Sequence, residues 1–179
     1  MAKPPVSDAA VAAKTGKTWD EWCAILDAAG GMTIGHTAIA TYLRDQHDVP
    51  PWWSQEVTVG YERIRGLREE NQTPRGYQVS VSKTLPVAAE TLYEAWTDEE
   101  IRARWLGDDE PHIRTARPHK SLRITWVDGV THVEAAFYPK APSKSQVVVQ
   151  HSKLADRADV EAKRAYWKAA LARLGGEVT

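Results

Sequence analysis

Apolar residues recur at helical spacing through the first third of the chain and at alternate positions beyond it. Thr18-Trp19-Asp20-Glu21 has the form of a capping box, with Thr18 as N-cap and Glu21 reaching back. Behind it Trp22, Ile25, Leu26 and Ala29 make one stripe, and Gly30 stands where a helix would stop. A second helix, about 35–46, turns Ile39, Tyr42 and Leu43 inward. Pro50-Pro51 ends it and opens a third, in which Trp53, Val57, Tyr61 and Ile64 repeat. Gly60 inside that helix costs about 1 kcal/mol relative to alanine, so another helix is expected to cross there closely. Residues 1–14 show no periodicity and read as a flexible tail. Residues 69–76, polar and rich in breakers, read as a linker.

After the linker Val79, Val81 and Leu85 alternate with polar residues, which predicts a strand. A helix over about 88–97 carries Leu92 and Trp96, and Thr97-Asp98-Glu99-Glu100 reads as a second capping box ahead of Ile101 and Trp105. Asp128-Gly129 between two alternating runs predicts a hairpin that pairs Leu122 with Ala135 and Ile124 with Val133. A loop over 139–143 then pairs Phe137 with Ser145 and sets His151 opposite Thr131. One face thereby collects Leu122, Ile124, Trp126, Val133, Ala135, Phe137, Val147, Val149 and His151. The last helix, about 157–174, has Asp156 as N-cap and Gly175 at its end. It turns Val160, Trp167, Leu171 and Leu174 inward.

Composition narrows the function classes. The 179 residues hold 42% hydrophobic and 26% charged positions, a globular balance that excludes wholesale disorder. Lys and Arg number 23 against 24 Asp and Glu, so no long-range field draws nucleic acid or anionic lipid. No apolar run reaches the ~18 residues of a membrane span, and the start lacks a secretion signal's apolar core. One cysteine cannot form an internal disulfide, which with the missing signal predicts a cytoplasmic protein. Eight Trp against one Phe make indole the main packing unit.

The order strand, two helices, antiparallel strands and long helix resembles the helix-grip fold of the START-like (SRPBCC) superfamily. Three runs resemble the branch named for the activator of the heat-shock chaperone ATPase: Leu92 to Gly107, Ile124 to Gly129, and Trp167 to Leu174. The stretch between Gly107 and Ser121 is short for that branch, by about a hairpin. The first half, through Thr15 to Trp22, His36 to Leu43 and Trp52 to Glu62, resembles a small bacterial helical domain of uncharacterised function. The expected architecture is α+β: a flexible tail (1–14), a three-helix domain (15–68), a linker (69–76) and a shortened helix-grip domain (77–179) with its antiparallel sheet wrapped on the last helix. That superfamily holds ligands between sheet and helix, which implies a reduced cavity partly lined by both domains.

Candidate chemistry is sparse. Cys23 has no neighbouring base in sequence to activate it. His36 and His47 lie ~16 Å apart along one helix and cannot share a metal. Asp108-Asp109-Glu110 reads as a solvated acidic turn, and no cofactor or metal motif is present. His151, at a strand end on the inward face, is the one histidine placed like a ligand-orienting group. The leading expectation is therefore non-catalytic binding of a small apolar or aromatic ligand by His151, Trp126, Trp167, Val133, Val149 and Trp105. A protein-interaction or co-chaperone-like module is the first alternative, implied by the branch. A cyclase- or hydrolase-type enzyme using His151 is the second. DNA binding through helices two and three is a minor one, because Gln55 to Glu62 carries two acids and no base. Sequence leaves the oligomeric state open.

Overall fold

The computed structural model describes residues 4–107 and 109–179, and the chain divides between Glu70 and Asn71 into two compact units. The fold is α+β, helical in the first unit and a shortened helix grip in the second.

The three expected helices are α2 (Trp19–Ala28), α4 (His36–His47) and α5 (Pro51–Ile64), with a one-turn α3 (Gly31–Ile34) between the first two. Thr18 and Glu21 form the reciprocal capping box. The expected tail is partly wrong: α1 (Asp8–Thr15) occupies its second half, capped by the Ser7 hydroxyl and closed by Gly16 in the left-handed region. Val11 alone of that helix is fully buried, so no apolar period betrays it. Trp22, Leu26, Ile39, Leu43, Val57 and Tyr61 make the core.

Gly60 is where the close crossing occurs. A Cβ built there would stand 2.0 Å from Trp19 Cη2, and the indole is held by a 3.1 Å bond from its Nε1 to the Val6 carbonyl. Gly60→Ala is expected to lower stability by about 1–3 kcal/mol through overpacking, against the helix-propensity gain of about 1 kcal/mol. A urea midpoint that rises in the variant would show that Trp19 yields.

The second unit begins with β1 (Gln72–Thr73) and β2 (Gly76–Leu85), followed by α6 (Ala89–Thr97), α7 (Glu99–Leu106), β3 (His112–Arg117), β4 (Ser121–Thr125), β5 (His132–Ala141), β6 (Lys144–Leu154) and α8 (Arg157–Val178). The strands pair antiparallel in the order β1-β2-β6-β5-β4-β3. One face of this sheet packs on α6, α7 and α8 over a large apolar cluster, with a smaller one of Val79, Leu154 and Val160 between β2, β6 and α8.

Several local expectations change. The reading of 69–76 as linker loses its second half, because the Thr73 hydroxyl donates to the Gly76 carbonyl and folds β1 onto β2. Asp98, not Thr97, caps α7; the Thr97 hydroxyl bonds back to the Tyr93 carbonyl instead. The segment expected to lack a hairpin holds one strand, β3, whose side chains are almost all exposed.

The first hairpin has the expected register, Leu122 opposite Ala135 and Ile124 opposite Val133. Its ladder stops at Thr125 and His132, because the Asp128 carboxylate accepts from the Val130 and Thr131 amides and widens the turn. The second hairpin is slipped by two: Phe137 faces Val147 and His151 faces Val133. A slip of two preserves faces, so the inward set survives. Lastly, α8 runs through Gly175, whose Cβ would meet Leu85 Cδ2 at 3.1 Å. That glycine serves close packing on β2, not helix termination.

Candidate functional site

The interior of the helix grip is where a ligand was expected, and indoles fill it. Trp96 from α6, Trp105 from α7, Trp126 just past β4 and Trp167 from α8 are all buried. Trp96 stacks on Trp167 with centroids 5.8 Å apart and planes 18° off parallel. Trp105 lies 4.8 Å from Trp96, and Trp126 meets Trp167 at 5.1 Å. Tyr166 closes the outer side, edge-on to Trp126 at 5.6 Å and to Trp167 at 5.2 Å. Its hydroxyl donates to Asp109, and burial with that carboxylate pushes the phenol well above its ordinary range. Lys163 lies 5.5 Å over the Trp126 ring, a cation–π contact.

Of the six predicted ligand residues, Trp126, His151 and Trp167 meet directly. Val133 and Val149 belong to the same apolar cluster, and Trp105 reaches Trp167 only through Trp96.

The polar groups inside this stack are bonded to one another or to backbone, Trp96 Nε1 excepted. Indole N–H can only donate, so the 3.0 Å contact from Trp167 Nε1 to His151 Nδ1 makes that ring nitrogen an acceptor. The proton of the neutral imidazole then sits on Nε2, which donates to Thr131 Oγ1 at 2.8 Å. The Thr131 hydroxyl in turn donates to Asp128 Oδ2 at 2.6 Å. A chain of donors thus runs Trp167, His151, Thr131, Asp128, from core to surface. Burial, and secondarily the Lys163 charge, lower the His151 pKa to about 4, against the opposing pull of Asp128. Trp105 Nε1 donates to the Ala95 carbonyl at 2.9 Å. Trp96 Nε1 is buried with no oxygen or nitrogen partner among the described residues.

The other sequence candidates fall apart structurally. Cys23 is buried and its thiol is raised by that burial. His36 bonds Glu62 at 3.0 Å and Gln55 at 2.9 Å, whereas His47 packs against Trp22 and Tyr42. In α5, the would-be recognition helix, Val57, Thr58, Tyr61 and Glu62 are buried. Its exposed positions are Pro51, Trp52 and Gln55, a surface without a cation. Asp108 of the acidic turn lies outside the described residues, and Asp109 is taken by Tyr166. No group of three or more metal-ligating side chains converges among the described residues. No described helix is long and apolar enough to cross a membrane.

An open cleft of about 680 Å³ lies at one end of the grip, within the usual ~300–1,000 Å³ of ligand sites. Its floor is Phe137, which touches Tyr93 edge-on at 6.0 Å. The first turn of α6, the turn 118–120 and residues 139–142 form the walls. Sequence reasoning passed over it, although the hairpin register already puts Lys120 directly across from Phe137. None of the six predicted ligand residues lines this cleft. Two others, of about 750 Å³ beside α4 and about 400 Å³ beside α7, also exclude them all.

Residues 9–62 match the family described as a domain of unknown function (DUF4287), a match that starts inside α1. No curated protein matches the chain. Among solved structures, CalU16 from Micromonospora echinospora is similar at TM-score 0.51 and 18% identity, covering 60% of this chain and 81% of that one. Protein MLL2253 from Mesorhizobium loti is similar at TM-score 0.50 and 16% identity, covering 56% of this chain and 95% of that one. The Aha1 dimer from Colwellia psychrerythraea aligns at TM-score 0.49 and 13% identity, covering 56% and 95%. At such identities the first two likenesses are likenesses of fold.

Proposed function

We propose that the chain is a non-catalytic binding module whose helix-grip unit takes a small apolar or aromatic ligand. The observation that carries this reading is the state of His151. It is neutral, and both of its ring nitrogens are engaged, one by Trp167 and the other by Thr131. A general base needs a free lone pair within reach of substrate, so the cyclase or hydrolase alternative loses its central residue.

A protein-docking alternative would call for a contiguous apolar patch on the outer sheet face. That face instead carries Gln78 bonded to Gln150 and Ser82 bonded to Gln146, with Arg123 beside Glu134. Its apolar part is small: Ala136 paired with Val148, both half-buried, and the exposed Tyr138 beside them.

Within the grip, a ligand beside Trp126, Trp105, Val133, Val149, His151 and Trp167 has to displace an indole. In the Phe137 cleft it displaces none, so that cleft is the expected seat. Titration of isotope-labelled protein with a neutral aromatic probe, 4-phenylbutan-1-ol, tests this. Amide signals of 119, 120, 137 and 140 are expected to move while the indole N–H signals of Trp126 and Trp167 stay fixed. Indole signals moving first would return the site to the interior. No movement at millimolar probe would end the binding reading.

A further inference from the structure

We infer that the Phe137 cleft selects an anionic amphiphile, an aromatic or aliphatic body ending in a single carboxylate. The inference rests on the binding reading above and names the class of ligand.

Geometry comes first. The Phe137 amide donates to the Lys120 carbonyl at 2.8 Å, one step past the Ser121–Ala136 pair. Residues directly opposite in an antiparallel ladder share a face, with Cβ atoms ~4.5–5.5 Å apart. Lys120 therefore projects on the same side as the Phe137 ring, and its apolar stem can lie along a ligand while the ammonium caps the end. Lys140 reaches the rim from the opposite side of β5, with Nζ 6.0 Å from the Tyr138 ring centroid.

Charge comes second. The side chains lining the cleft include two ammonium groups and one carboxylate, Glu90. Glu90 is within 3.6 Å of His119 Nδ1, whose ring packs edge-on to Tyr93 at 5.4 Å. Neither lysine has a carboxylate partner among the described residues. The first turn of α6 forms a third wall, and its N-cap, Ala88, brings no side-chain oxygen to that helix end. Its dipole adds to the two positive charges.

Hydrogen-bond inventory comes third. Pro118, Pro139 and Pro142 supply no amide donor to the walls, and the lysines supply only donors. Among side chains, a ligand that brings donors finds one carboxylate, Glu90, already beside His119; one that brings a carboxylate finds Lys120 at the edge of an aromatic floor and Lys140 at the rim.

The test pairs two probes with one body, 4-phenylbutyrate and 4-phenylbutan-1-ol, titrated into the full chain by calorimetry and by amide shifts. The carboxylate is expected to bind about tenfold tighter than the alcohol, a preference that shrinks as salt screens the lysines. Lys120→Met, with Lys140→Met beside it, keeps most of the apolar stem and should bring the two probes within about twofold without weakening the alcohol. An unchanged melting temperature in both variants shows that they fold. Equal binding of the probes in the parent protein overturns the carboxylate inference and leaves the binding reading standing. A carboxylate preference that survives both substitutions overturns it too, since the anion then sits elsewhere. Binding of neither probe fails both.

Discussion

Trp167→Ala is expected to cost about 3–5 kcal/mol of stability, the range for removing a buried aromatic from a packed core. The indole is fully buried, stacks on Trp96 and meets Trp126, Tyr166 and His151. Its removal opens a cavity walled by other rings, which collapse poorly because each is held by its own neighbours. It also strands His151 Nδ1 as a buried acceptor, a cost of about 1–3 kcal/mol in its own right. Trp167→Phe separates the two contributions, since it retains most of the ring contact but not the donor. Urea unfolding followed by the remaining tryptophan fluorescence measures both variants. A loss below about 1 kcal/mol for the alanine variant would mean that the stack rearranges readily. The interior would then be a plausible ligand chamber after all, with Trp167 as its movable wall.

The layout of that stack was partly legible in sequence because strand period and turn chemistry are local. Asp128-Gly129 announces a hairpin, and alternation on either side admits only one register with Leu122 opposite Ala135. The second hairpin was misread because Pro139, Ala141 and Pro142 look like loop. In the structure β5 continues to Ala141 through an irregularity and the turn shrinks. The inward face survived that error because side chains repeat every two residues. Strand β3 left no trace: with nearly every side chain exposed, it has no binary pattern to read. Helix α1 is similarly mute, since Val11 is its only buried residue.

What stayed hidden in the candidate site depends on distance across layers. Sequence placed His151 on the face toward the last helix and Trp167 on that helix's inner stripe. It could not say that the two approach within 3.0 Å, nor that the approach consumes the lone pair on which an enzymatic reading relied. The Phe137 cleft was missed for a different reason. Its walls come from two proline-containing turns and a helix start, none of which has a periodic signature. Lys120 across from Phe137 was the available signal, and it follows from extending the correctly read hairpin by two pairs, through Ser121 opposite Ala136.

The second large expected effect is acid destabilisation through His151. In the folded chain burial holds its pKa near 4, whereas an unfolded histidine titrates at the ordinary value of 6.5. Between these values the unfolded chain binds a proton that the folded chain refuses, so stability rises with pH across that interval. The contribution is fully present above pH ~6.5, shrinks as pH falls, and levels off below ~4, where both states are protonated. At 1.36 kcal/mol per pKa unit the whole loss is about 3 kcal/mol. The physical event is specific. A proton arriving at Nδ1 would face the Trp167 N–H, donor against donor, in a ring already donating from Nε2 to Thr131. Lys163 adds to the penalty from α8 and Asp128 opposes it from the turn. His132, lowered by burial and then by Lys153, contributes in the same direction from an accessible position. Asp128 itself, which burial raises but bonds from Thr131 and Val130 lower further, matters only below its ordinary value of 3.8. Urea unfolding at half-unit steps from pH 7.5 to 4.5 in the parent chain and in His151→Gln isolates the effect. The parent is expected to lose stability steeply below pH 6.5, and the variant, less stable at neutral pH, to lose much less. Parallel curves for the two would mean that His151 accepts its proton in the folded chain and that the Trp167–His151 bond opens to admit it.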